Sequence, residues 1–192
     1  MNRIGEQILT QEKLKQPHVS AGSVSTSVDA FFILGEGPTQ VKGESQDHDH
    51  KDAIEIRSFQ WVVENISSIA SGSGGGAGRA SFGKGFKLTK LVDAASPQLF
   101  QYCAHGHHFT SARVIVRKAG GKALEYIHYA FRDVFITSVL TILDPALDLP
   151  YEEVQFVYGA LQDKYVPQDE KGAGKPAIVG VWNFMSNRPS FP

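Results

Sequence analysis

From Val28 onward, apolar and polar positions fall into short runs bounded by Gly, Pro, Ser and Asp, a pattern of strands rather than helices. VDAFFIL predicts a first strand, and AIEIRSFQWVV a second that is rich in β-branched and aromatic residues. In the second, Ile54 and Ile56 share one parity while Phe59, Trp61 and Val63 share the other, which predicts a bulge near Arg57–Ser58. Past that shift, Ser58 and Gln60 face away from the core. FGKGFKLTKLV resumes strand character, and SARVIVRKAGGKALEYIHYAFRDVFITSVL predicts a hairpin about Gly120-Gly121. EEVQFVYGALQDKY and AIVGVWNF supply the last strands. SPQLFQYCAHG has the punctuation of a helix: Ser96 as N-cap, Pro97 in the first helical position and Gly106 past the end. Its predicted inner face is Leu99, Phe100 and Cys103. Many short strands with one helix indicate an all-β barrel or sandwich with a helix packed on it.

Residues 1–27 differ in texture, polar and ending in a Ser/Gly/Thr stretch, and read as a flexible N-terminal extension. They read equally well as a tail, an expression remnant or a functional arm. Residues 28–192 then form one domain, large enough to fold without disulfides or metal. With Lys+Arg 19 against Asp+Glu 20 and no long basic run, nucleic acid is not an expected partner. The single cysteine, Cys103, allows neither an internal disulfide nor a multi-cysteine zinc site. No apolar run approaches ~18–20 residues, so membrane insertion is not expected. MNRIGEQILTQEKLKQPH lacks the apolar core of a secretory signal, which points to a protein made in the cytoplasm and not exported by Sec.

Two clusters invite a metal reading. Asp47-His48-Asp49-His50-Lys51-Asp52 packs three carboxylates and two imidazoles into six residues, and His105, His107 and His108 follow further along. Neighbouring loop residues point apart, so the first cluster reads more plainly as a solvated loop before a strand. The second sits at the end of the predicted helix, where His105 suits the negative end of the helix dipole, and it matches no zincin or zinc-finger spacing. Gly72-Ser73-Gly74-Gly75-Gly76-Ala77 nearly spells a dinucleotide fingerprint, but lacks the strand before it and the helix after it. It reads as a surface loop. There is no G-x-S-x-G elbow, and Trp61 and Trp182 sit in strand patterns as core residues. No catalytic constellation and no cofactor site emerge, so the chain is not expected to be an enzyme.

Several stretches, taken in order, carry a resemblance. An aspartate lies in VDAFFIL, followed by the turn Lys42-Gly43-Glu44-Ser45 and an I-E-I strand ending in an aromatic pair. The glycine-rich loop follows, then F-x-x-T-K-x-x-D (86–93), S-P-x-L (96–99), R-K-A-G-G (117–121), E-Y (125–126) and D-V-x-x-x-S (133–138). YVPQ and GVWNF close the series. Over roughly 28–188 the chain resembles the haemolysin-coregulated protein (Hcp) family, the tube proteins of the bacterial type VI secretion system.

The resemblance implies a mainly β fold: a compact β-barrel of two packed sheets with one flanking α-helix and long extended loops, similar to contractile phage tail-tube proteins. It implies homohexameric rings with a wide channel, stacked into a tube that a contractile sheath ejects, with sheath, spike and baseplate proteins as partners. It also implies secretion without a Sec signal, and binding of secreted effectors in the ring lumen. Ser58 and Gln60 match positions that face the channel in the family, and are the expected effector contacts. Lys42, Glu44, Asp47, His48, Asp49, His50, Asp52 and Arg79 fall in two loops and are the expected subunit-contact or stacking residues. Two rivals remain open: a carrier ring that chaperones effectors with little tube building, and a metal-dependent enzyme using the histidine clusters.

Overall fold

The computed structural model describes residues 28–66, 79–81, 85–118, 124–143, 149–170 and 172–192, with the backbone alone at 65–66 and 79–81. The N-terminal extension, the glycine run up to residue 78 and the Gly120-Gly121 turn lie outside these residues. The elements run β1 (Val28–Leu34), β2 (Ile54–Glu55), β3 (Ser58–Trp61), β4 (Glu64–Ile66), β5 (Arg79–Ser81) and β6 (Phe86–Leu91). Then follow α1 (Ser96–His105), β7 (His108–Lys118), β8 (Glu125–Ile142), β9 (Tyr151–Tyr165) and β10 (Ile178–Asn183).

One antiparallel sheet runs β2-β1-β7-β8-β9-β6-β3, with β10 also on β9, while β4 and β5 pair only with each other. The first and last strands of that path are separated by just Ile56 and Arg57. The Ile56 N–H bonds to Ala30 O of β1 at 2.9 Å, and the Arg57 N–H bonds to Thr89 O of β6 at 2.7 Å. The chain thus crosses from one margin of the sheet to the other and curls it into a half-barrel. Both layers of the expected barrel belong to this one curled sheet, and the parity shift predicted at Arg57–Ser58 is the seam.

β8 and β9 are long enough to take part in both layers. β9 pairs with β6 through Tyr151–Phe156 and with β10 through Ala160–Tyr165. Between those halves lies Gly159, whose Cβ would come within 2.8 Å of Met185 Sδ and 3.0 Å of Asp133 Cβ. A glycine there lets the C-terminal turn close on the strand, where the Phe184 N–H bonds to Gly159 O. The interior is aromatic: Phe86 and Phe156 stack at 5.2 Å, Phe32 stacks on Phe156 at 5.2 Å, and Phe131 meets Phe156 edge-on at 5.1 Å. Trp61 and Trp182 pack half-buried against this core, as their strand settings predict.

The helix corrects two details. Its N-cap is Ala95, and Ser96 is the first helical residue, its hydroxyl already occupied by partners described below. Phe100 is exposed: the inward stripe is Ala95, Leu99 and the half-buried Tyr102 and Cys103, the i, i+4, i+7/8 spacing, and Phe100 lies about 100° off it. Gly106 ends the helix in the left-handed region at φ 67, as expected.

Candidate functional site

Alternation places Phe86, Leu88 and Lys90 of β6 inside and Lys87 and Thr89 outside. On β3, Phe59 and Trp61 pack inward while Ser58 and Gln60 are exposed, the predicted parity. Register carries the outward set across four strands. One rung is Ser58, Thr89, Glu153 and Leu140, and the next is Gln60, Lys87, Gln155 and Ser138. The result is a continuous outward wall, mostly polar but carrying the exposed Leu140, formed by β3, β6, the first half of β9 and the last part of β8. Its two full charges neutralise each other, with Lys87 Nζ 2.6 Å from Glu153 Oε2.

Both flanks of this wall are unpaired among the described strands. β3 pairs only with β6, and β8 beyond Phe135 has only β9 as a strand partner because β7 begins at His108, while α1 packs against β8. Beside the β3 margin lies an open groove of about 600 Å³ whose floor includes Val28, Ala30, Ile56, Phe59 and Val116. It is the wedge left where β3 diverges from β1.

Beneath the wall, Lys90 is fully buried and held by four oxygens. Its Nζ lies 2.7 Å from Asp93 Oδ1, 3.0 Å from Glu152 Oε2, 3.0 Å from Ser96 Oγ and 2.7 Å from Leu91 O. Ser96 Oγ donates to Glu152 Oε2 at 2.7 Å and accepts the Asp93 N–H at 3.1 Å. Thr141 Oγ1 donates to the other Glu152 oxygen at 3.2 Å. Every partner is satisfied, so the network ties β6, β8, β9 and the start of α1 together in place of a second apolar layer. Lys90, Asp93 and Ser96 are the T-K-x-x-D and S-P-x-L positions of the sequence pattern.

The acidic–histidine stretch forms a strap, residues 42–53, laid over the outer face of β1 and β7, where Phe31, Ile33, Ala53 and Ile115 bury one another. Gly43 lets it lie close: a Cβ there would sit 2.4 Å from Ala53 O. The Asp47 carboxylate accepts Arg117 Nη1 at 3.0 Å, is paired to Arg117 Nη2, and also accepts the N–H of Asp49 at 3.0 Å and of His50 at 3.1 Å. Arg117 reaches Asp29 at 3.1 Å as well and lies over the Phe31 ring. The Arg117 hydrogen bond is the chief reason the Asp47 carboxyl is held down at about 2, and it keeps Arg117 charged. His50 is buried, its ring tilted against Phe31 at 4.5 Å, with Nε2 2.7 Å from Glu125 Oε1. His128 approaches the other Glu125 oxygen at 3.4 Å, and burial, then the Lys164 charge, lower its pKa.

The expected contact residues therefore divide. Asp47 and His50 are engaged within the chain, and Glu44 accepts the Ala94 N–H at 3.1 Å. Lys42 and Asp52 pair at the surface at 3.3 Å, while His48 and Asp49 pair at 2.9 Å and project into solvent. The Asp49 hydrogen bond, then its charge, raise the His48 pKa. The backbone of Arg79 pairs with Ile66 in β5, so the end of the glycine run is strand, and its side chain lies outside the described residues. Among the described residues no three His, Cys, Asp or Glu side chains converge for a metal. His105 and His107 instead pack around Tyr102, and His108 pairs with Asp133 at 3.2 Å.

The strap tether has a definite pH window. A carboxyl held at about 2 instead of 3.8 stabilises the fastened strap fully above the ordinary value and loses that contribution as pH falls through about 2. Asp47→Asn is expected to speed amide exchange across residues 43–53 at pH 7, whereas the unaltered chain loosens there only between about 3.8 and 2. Identical exchange at pH 7 contradicts the tether.

Residues 32–165 match the family model described as "Type VI secretion system effector, Hcp". The chain is 34% identical over 164 residues to Protein hcp1 of Pseudomonas aeruginosa, covering 84% of this chain and 98% of that one. Among solved structures, a type six secretion system protein superposes with TM-score 0.75 at 28% identity, over 83% of this chain and 98% of its own. Hcp1 from Salmonella typhimurium gives 0.65 at 29%, over 84% and 98%. With the barrel, the helix and the ordered sequence positions in agreement, the chain belongs to the Hcp family of type VI secretion proteins.

Proposed function

We propose that six copies of this chain close into a ring whose channel is lined by the polar wall, and that such rings form the inner tube of a type VI secretion system. The observation that carries this reading is the pair of margins without a second strand partner, β3 and the end of β8, on opposite flanks of one outward surface. A strand edge presents unpaired N–H and C=O groups that a neighbouring strand satisfies. Two different edges of one molecule make a heterologous contact, which closes into a ring when the rotation allows. The wall rests on the Lys90 network. The role is structural rather than enzymatic.

Ser58 and Gln60 then face the channel and contact effectors through hydrogen bonds, on a wall whose charges cancel. The exposed strap charges Lys42, His48, Asp49 and Asp52, with Arg79, set subunit contacts at the outer side. Gln60→Arg puts six like charges into the channel while leaving the inner face of β3 unchanged. Retention of a co-expressed effector is expected to fall with ring mass unaltered. Undiminished co-purification counts against a channel-facing Gln60.

A further inference from the structure

We infer that the inner face of the sheet, where β9 meets β10, binds an alkylammonium ligand, with Asp163 as its counter-charge and Trp61, Tyr129 and Trp182 as aromatic walls. The site belongs to one subunit and does not depend on ring closure. Register fixes the direction of each side chain. Phe32, Val114, Tyr129, Asp163 and Gly180 form one rung across β1, β7, β8, β9 and β10. Phe32 and Val114 are fully buried and Tyr129 nearly so, which makes this rung core-facing. Asp163 therefore stands on the inner face, while Lys164 alternates to the outer face opposite His128. The next rung pairs the buried Leu161 with Trp182, which brings Trp182 to the same face beside Asp163.

Two polar groups on this face lack complements. The Asp163 carboxylate is half-buried, and burial alone raises its pKa, with no cation or donor among the described residues to offset it. The Trp182 Nε1–H is buried and has no acceptor among the described residues. A native fold seldom leaves a carboxylate or an indole N–H desolvated without a partner. Space for one exists: a Cβ on Gly180, directly across from Asp163, would meet nothing within 4 Å. Aromatic surface adjoins that space. Trp61 reaches over from β3 to meet Tyr129 at 5.5 Å and 65°, and Tyr165, on the adjoining rung, is 47% exposed. A carboxylate set among aromatic rings selects an ammonium group on an apolar stem, because the charge pairs with Asp163 while the stem and the cation lie against π surface. A neutral or anionic ligand would leave Asp163 unpaired. An amide oxygen next to the amine would accept the Trp182 N–H. The amine is either a free small molecule or a lysine of a polypeptide, and the recognition chemistry is the same for both.

The chain has two tryptophans, both at this site, so intrinsic fluorescence reports on it directly. The unaltered full chain is titrated near neutral pH with n-butylamine, as the free amine, and with Nα-acetyl-lysine methylamide, as a lysine within a polypeptide. At least one is expected to give a saturable change with half-saturation below ~10 mM, and the tighter of the two names the source. Nα-acetyl-norleucine methylamide, which lacks the charge, is expected to give none. Asp163→Asn keeps the size of the side chain and is expected to weaken amine binding by about tenfold or more. It is also expected to leave the urea midpoint of the ligand-free chain unchanged or raised, since the carboxylate has no partner to lose. No saturation with either amine, an equal response to the norleucine derivative, or undiminished binding by Asp163→Asn overturns the site. A lowered midpoint for Asp163→Asn means that the carboxylate serves the fold instead, and overturns it as well.

Discussion

Lys90→Met is expected to destabilise the subunit by about 3–5 kcal/mol, the usual cost of removing one partner from a buried ion pair. The side chains of Asp93 and Glu152 are nearly buried and point at the same ammonium. Removing the cation leaves two carboxylates facing each other in a poorly solvated space, with Ser96 and Thr141 still donating to Glu152 and the Ala95 N–H to Asp93. The single change thus exposes the desolvation cost that the network otherwise offsets. Lys90→Met combined with Glu152→Leu removes one of those carboxylates and is expected to recover most of the loss, because an apolar pair of similar size often replaces a buried ion pair without penalty. Urea unfolding at fixed protein concentration measures both, with concentration held because assembly adds to apparent stability. A loss below ~1 kcal/mol for Lys90→Met, or a double variant no better than the single, contradicts the scaffold role.

The second large effect concerns the ring margins. If β3 of one copy lies beside the end of β8 of the next, the rung Gln60, Lys87, Gln155, Ser138 continues onto its neighbour. Gln60→Cys with Ser138→Cys, in a Cys103→Ser background, then places thiols from adjacent copies on one rung. A short thiol-reactive cross-linker is expected to produce a denaturing-gel ladder ending at six chains, with closed hexamer dominant at completion. Each single-cysteine control is expected to stay monomeric. A product that stops at dimer for the double variant means that the two margins do not meet each other in a cycle.

Much of the fold is legible along the chain because period-two alternation and turn residues are local signals. The parity switch between Ile56 and Phe59 marked the seam, and with it the outward direction of Ser58 and Gln60. Phe100 was misread because apolarity alone does not say which helical stripe faces the sheet. The strap shows where local reading ends. DHDHKD presents acids and imidazoles without partners, since Arg117 stands 70 residues from Asp47 and Glu125 stands 75 from His50. Lys90 and Glu152 are separated by 62 residues in the same way. Only strand register brings these groups together, and no spacing in the sequence encodes register across such distances. The ordered sequence positions did hold the signal, since Asp29, Arg117, Glu125, Lys90, Asp93 and Ser96 all fall among them. Their meaning as internal pairs needed the barrel.

The histidines of the two clusters are engaged by separate partners. His50 is spent on Glu125 and Phe31, His48 on Asp49, and His108 on Asp133. What reads as a ligand cluster is a fastened strap with a few charges left outward.

The central claim is that one polar wall with two free margins closes into a ring. Its most direct test is the native mass of the unaltered chain, measured over a range of dilutions and in two buffers of different salt concentration as the two samples. A mass six times that of one chain, stable on dilution and shared by both samples, is the result the account predicts. A stable monomer at high concentration contradicts it.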